Sequence, residues 1–142
     1  MNRIVGLILL AALLAAPCRA EDTREAAPRT EAEREFILGQ MRLFLESTRA
    51  IAAGLASGDL TTVAAEAAAR GRKGTPLSAI PPGMKAKETP AWTAMMGSAR
   101  AGFDSIADAA RAGASPAALV GMLGETMRSC VACHNSYRLV TE

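Results

Sequence analysis

The stretch RSCVACHNSYR, Arg128 to Arg138, decides how this chain is read. It holds the only histidine of the 142 residues and two of the three cysteines. Within it, Cys130-Val131-Ala132-Cys133-His134 forms a C-x-x-C-H, which in an exported protein marks a site of covalent haem c attachment. Each residue type has its own task. The two thiols add across the vinyl groups of haem to form thioethers, and the adjacent imidazole is placed to bind iron as proximal ligand. A structural zinc site, the chief competitor, takes four ligands, usually Cys and His. Once Cys18 is removed by export, the rest of the chain has neither residue to offer. A thioredoxin-like dithiol belongs beside a βαβ pattern, and strand-like alternation is missing here. The expectation is one haem c, bound through Cys130 and Cys133 with His134 on the iron.

Export is read from the other end. Met1-Asn2-Arg3 gives a short positive start, Ile4 to Ala16 is apolar, and PCRA ends in Ala20 with the small residue Cys18 two positions earlier. That pattern is a signal peptide over residues 1–20, cleaved after Ala20, and it directs the protein to the periplasm. About thirteen apolar residues fall short of the roughly twenty that span a bilayer, so no stable membrane anchor is expected. Pro17 fits poorly with a lipid anchor on Cys18. Cleavage takes Arg3 and Arg19, so sixteen Lys plus Arg become fourteen against fourteen Asp plus Glu. The pI near 8.6 therefore describes the precursor. Two haem propionates turn the balance mildly acidic, which argues against nucleic acid as a partner.

Between these ends the chain reads as helix throughout, with no strand, and residues 33–142 form one domain behind an N-terminal segment, 21–32. A first helix is expected from about Glu31 to Gly54, with Ile37, Met41, Phe44, Leu45, Thr48, Ile51, Ala52 and Leu55 as its apolar face. A second follows the N-cap Asp59 through Val63 and Ala67 and stops before Gly71. A loop from Gly71 to Glu88 carries Pro76, Pro81, Pro82 and Gly83. Thr89-Pro90 and Ser115-Pro116 then open two more helices, each as N-cap and first-turn proline. Trp92, Met96, Ala99, Phe103, Ile106 and Ala110 face inward on the third. Leu119, Leu123, Met127, Cys130, His134 and Tyr137 do so on the fourth. The fold class is all-α, an antiparallel four-helix bundle whose cofactor site is built from inward-facing side chains.

Counting then places a second axial ligand. His134 lies about six residues, or roughly 9 Å, from the expected end of the fourth helix, and Met41 about ten residues, or roughly 15 Å, into the first. In an up-down-up-down bundle the two are level within about one turn. Met96, about six residues into the third helix, competes for the same place. Met is also a common gap-filler on helix faces, so a purely packing role stays open.

With its C-x-x-C-H-x-x-Y-R at the C-terminus, on the last of four helices, the chain resembles the class II cytochromes c, the cytochrome c′ group and its low-spin relatives. The resemblance spans roughly Glu33 to Arg138, and only CVACHNSYR is sharply diagnostic. It implies that the helix-one residue facing the haem decides behaviour. An apolar residue there leaves iron five-coordinate and open to nitric oxide or carbon monoxide, whereas Met fills the sixth position and suits electron transfer. Met41 falls at that position, with Met96 the alternative. Arg138 matches a basic residue that the family places beside the haem. Homodimers through the first two helices are also implied, with a monomer the alternative. The expected function is a single-electron carrier that exchanges electrons with redox protein partners and turns over no substrate. A five-coordinate gas-binding protein is the alternative. The basic run Arg70 to Gly74 favours the helix dipole at its helix end and offers a dock for an acidic redox partner.

Overall fold

The computed structural model describes residues 21–142, and the segment read as a signal peptide lies outside the described residues. Its elements run β1 (Glu25–Arg29), α1 (Glu31–Ser57), α2 (Leu60–Arg70), two 3₁₀ turns (Leu77–Ala79 and Met84–Lys87), α3 (Pro90–Arg111), α4 (Pro116–Ser136) and β2 (Tyr137–Thr141). The chain is mostly helical, and its four helices are compatible with a helical bundle. Each sequential pair of helices packs together, while α1 and α4 touch only sparingly.

The helices begin where side chains satisfy their free N–H groups. At α1, Thr30 Oγ1 accepts from the Glu33 N–H at 3.3 Å, and Glu33 Oε2 accepts from the Thr30 N–H at 2.8 Å, a reciprocal capping box. Asp59, Thr89 and Ser115 cap α2, α3 and α4 as expected, with Pro90 and Pro116 in the first turns. Gly54 does not end α1. It marks the closest approach of α2, since a Cβ there would stand 2.9 Å from Val63 Cγ2. The stop is Gly58, in the left-handed region at φ 75°, where a side chain would be strained.

Two apolar clusters fill the interior. The first joins Phe44, Ile51 and Leu55 of α1, Val63 of α2, Phe103 and Ile106 of α3, and Leu119 and Leu123 of α4. Phe44 and Phe103 stack at its centre with ring centroids 5.5 Å apart. The second gathers Ala27, Ile37, Met84, Trp92 and Tyr137 from five different segments.

The expectation of helix throughout is corrected at both ends. Glu25–Arg29 and Tyr137–Thr141 form a two-stranded parallel sheet, in register from Glu25 opposite Tyr137 to Arg29 opposite Thr141. Tyr, Val and Thr favour the extended state, and Ala27 and Arg29 alternate inward with a period of two. Tyr137 is therefore a buried strand residue, and α4 ends at Ser136, earlier than the ligand count assumed. Leu45, 71% exposed, and Ala52 also lie outside. Adjacent helical positions diverge by about 100°, so Leu45 and its neighbour Phe44 cannot both face the core.

Candidate functional site

Cys130, Cys133 and His134 occupy the last two turns of α4. At about 100° per residue they fall within one arc of roughly 100° on the helix. Both thiols are free and half-buried. Burial pushes both above the ordinary cysteine value, and the neighbouring Cys130 adds to the rise at Cys133, so they stand as S–H groups at neutral pH. Cys133 packs against the second cluster, as do Met41, Met95 and Met96.

His134 and Met127, expected on the inner face, are exposed, Met127 at 42%. Thr126 shows why: it faces Gly102 of α3 so closely that a Cβ on that glycine would overlap it. Met127 and His134 lie about 100° and 80° round the helix from Thr126, away from α3. The His134 carbonyl accepts from Arg24 Nη1 at 3.3 Å. Among the described residues, no three His, Cys, Asp or Glu side chains gather closely enough to hold one metal ion. No described helix is long and apolar enough to cross a membrane.

Met41 and Met96 both line a cavity of about 280 Å³ between α1, α3 and the loop that follows α2. Phe36, Ile37, Met84 and Trp92 form its apolar wall, and Arg72, Lys85 and Arg100 bring positive charge to it. No residue of α4 lines it. With α4 ending two residues after His134, simple counting no longer levels His134 with Met41. Cys133, Met41 and Met96 share a cluster, not a cavity.

Arg138 lies in β2 opposite Ala26, with Nε 4.0 Å from Asp22 Oδ2. Tyr137 is buried edge-on to Trp92 at 5.3 Å, and its hydroxyl shares a 2.8 Å hydrogen bond with Thr89, the cap of α3. The basic run after α2 is partly drawn inward. Arg70 stands 6.0 Å and Arg100 5.4 Å from the Phe44 ring centroid, and Arg72 pairs with Asp104 at 3.8 Å. Burial and then the nearby Arg70 lower the Arg100 pKa from its ordinary value, while Arg100 donates to the Gly71 carbonyl at 3.0 Å and to Thr75 at 3.2 Å.

Sequence reasoning missed Arg29, buried against Trp92, and the clasp in which Lys87 bonds Glu33 and Glu142 at 2.8 Å each. The Thr-x-x-Glu signature at Thr30 could have signalled the cap, but no local pattern marks an arginine for burial.

The donor set suits haem c chemistry. Two reduced thiols sit three residues apart on one face, a histidine follows the second, and two methionine thioethers line a cavity that no residue of α4 borders. No family model, curated protein or solved structure matches this chain.

Proposed function

We propose that the chain is an exported, periplasmic monohaem cytochrome of the class II kind, an antiparallel four-helix bundle that carries single electrons and turns over no substrate. The observation that carries this reading is the C-x-x-C-H at the end of the last of four helices, with both thiols free and with Cys133, Met41 and Met96 each packed against one apolar cluster. The short connections at Gly58-Asp59 and 112–115 favour antiparallel neighbours. The Lys87 clasp brings the start of α1 to the tail beyond α4, as that topology requires.

Cys130 and Cys133 would hold the haem, each thiol adding its sulfur to one vinyl carbon and its hydrogen to the other, so that nothing leaves. When bound, haem supplies an iron that passes between Fe(III) and Fe(II). His134 would supply an imidazole nitrogen to that iron and Met41 a thioether, with Met96 the alternative. Phe36, Ile37 and Trp92 give the methionine side of the site an apolar wall. Along α4 the inward stripe is sealed at Leu119 and Leu123 but loses cover at Cys130 and His134, where an attached group takes the place of absent side chains. Arg138 is the basic residue at its edge.

The partners are redox proteins. One observation favours a second reading, a haem subunit held in a larger assembly: Val120, Met127 and Val131, exposed at 55, 42 and 57%, make an apolar stripe on α4 beside Cys130. Leu43 and Leu45, exposed on α1, offer the homodimer face that the family resemblance implies.

Production with the cytochrome c maturation machinery tests the proposal. The product is expected to keep haem on a denaturing gel, at the mass of the chain from Glu21 plus one haem. Haem that extracts into acidic organic solvent sinks the reading. Rapid carbon monoxide binding by the reduced protein moves it to the five-coordinate, gas-binding kind.

A further inference from the structure

The cavity beside Met41 and Met96 differs from one end to the other. Trp92, Met96 and Arg100 line it at four-residue steps along α3, and the eight residues from first to last span about 12 Å. One end is apolar, where Ile37, Met84 and Trp92 form part of the second cluster and Ile80 packs against them. Glu88, the single carboxylate of the lining, stays near that end and accepts from the Thr93 hydroxyl at 3.4 Å. The other end is cationic. Arg100 donates to the Gly71 carbonyl and the Thr75 hydroxyl, both neutral, and no carboxylate among the described residues pairs with it. The Arg70 guanidinium shares the Phe44 ring with it, and Arg70 Nε is buried without a hydrogen-bond partner. Asp104 engages Arg72, by its N–H at 3.3 Å and its Nε at 3.8 Å, but does not line the cavity. Gln40 accepts from the Thr75 hydroxyl through its amide oxygen at 3.0 Å, which leaves its amide N–H donors unspent.

Two guanidinium groups drawn partly out of water beside an apolar slot call for a negative charge carried on an apolar body. No residue of α4 borders the cavity, so its occupant is a free molecule and not a group attached at Cys130 and Cys133. We infer that the cavity binds a small organic monocarboxylate with a linear apolar tail. The carboxylate takes N–H groups from Arg100 and Gln40, and the tail runs past Met96 and Met41 toward Trp92. The planar guanidinium fork suits a carboxylate better than a point charge would. A volume of about 280 Å³ keeps the ligand small. An extended eight-carbon chain, at about 1.5 Å per C–C bond in zigzag, is roughly 9 Å long and fits the span from Arg100 to Trp92. Methionine side chains are unbranched and adapt to such a tail. This inference does not rest on the haem reading above.

Isothermal titration calorimetry of the full protein with sodium octanoate at neutral pH tests this. One site per chain is expected. Octanol, with the same tail and no charge, should bind about tenfold more weakly or worse, the range for losing a hydrogen bond to a charged group. Acetate, which keeps the charge and lacks the tail, should give no measurable heat. Arg100→Gln should weaken octanoate by about the same factor, while Arg100→Lys recovers part of the loss because charge returns without the fork. If Arg100→Gln fails to fold, the comparison of octanoate with octanol on the wild type decides by itself. Octanol that binds as tightly as octanoate overturns the inference and leaves a plain apolar cavity. Octanoate affinity unmoved by Arg100→Gln places the carboxylate elsewhere and overturns it as well. No saturable heat with octanoate at millimolar concentration rejects the site outright.

Discussion

The two apolar clusters draw on similar residues but close to different degrees. Around Phe44 and Phe103, all four helices contribute, and Ile51, Ile106 and Leu119 are fully buried. Around Trp92 and Tyr137, the chain leaves a cavity of about 280 Å³, an unpaired buried cation, two half-covered thiols and an exposed histidine. The difference begins where α2 stops at Arg70. Beyond it, the proline-bearing loop with two 3₁₀ turns replaces a helix, and such a segment cannot present a continuous ridge of side chains to α1 and α3. One half is closed by its own residues, while the other keeps a cavity.

The largest expected effects test that contrast directly. Phe103→Ala should remove about 3–5 kcal/mol of stability, the range for truncating a buried phenylalanine. Denaturant unfolding should give the same loss with haem attached and in the Cys130→Ala, Cys133→Ala chain that cannot attach it. Trp92→Ala should behave differently, weakening the haem-bearing protein more than the haem-free chain, because its packing partner is then partly the haem. Equal losses at Trp92 in the two forms break the contrast.

Much of the sealed half was legible in the sequence. Asp59, Thr89-Pro90 and Ser115-Pro116 are local start signals, and the inward positions of Ile51, Val63, Phe103, Ile106 and Leu119 follow from helical periodicity. The other half depends on contacts between residues distant in sequence. Tyr137 pairs with Glu25 across the chain, and Lys87 joins Glu33 to Glu142. Neither leaves a periodic trace. The extended tail after Ser136 also defeats helix counting, which is why the exposure of His134 was missed. Gly54 misled for a related reason: a glycine needed for close packing against Val63 looks, in sequence, like a helix stop.

A smaller effect on stability, but a sharper one on chemistry, is expected at the two cavity methionines. Met41→Leu conserves volume, and such swaps usually cost less than about 1.5 kcal/mol. With the thioether gone, the reduced protein should bind carbon monoxide quickly, and its potential should fall. Met96→Leu is expected to change neither. Carbon monoxide titration of the two variants separates them, and the reverse pattern moves the ligand to α3. If neither variant differs from a wild type that binds slowly, the cavity methionines are packing only.

The smallest effect concerns what holds the second half shut. The hydrogen bond from Lys87, followed by that from the Thr30 N–H, keeps the Glu33 carboxyl below the ordinary glutamate value of 4.5. A depressed acid stabilises the fold above that ordinary value, and the contribution is lost as pH falls through the lowered one. Lys87 is raised, first by Glu142 and then by Glu33. Its contribution is complete below the ordinary lysine value and is lost as pH rises through the raised one. The clasp therefore works across the neutral range and fails at both extremes. Glu33→Gln should lower the thermal midpoint at neutral pH and converge with wild type in acid. Trp92, the only tryptophan, lies in the half that the clasp closes, so its emission should rise before helical circular dichroism is lost. Glu142→Gln should do less, since that carboxylate is 43% exposed and its pairing is screened by water. If emission and helicity change together through the acid limb, the two halves open as one, and the clasp has no separate hold on the second.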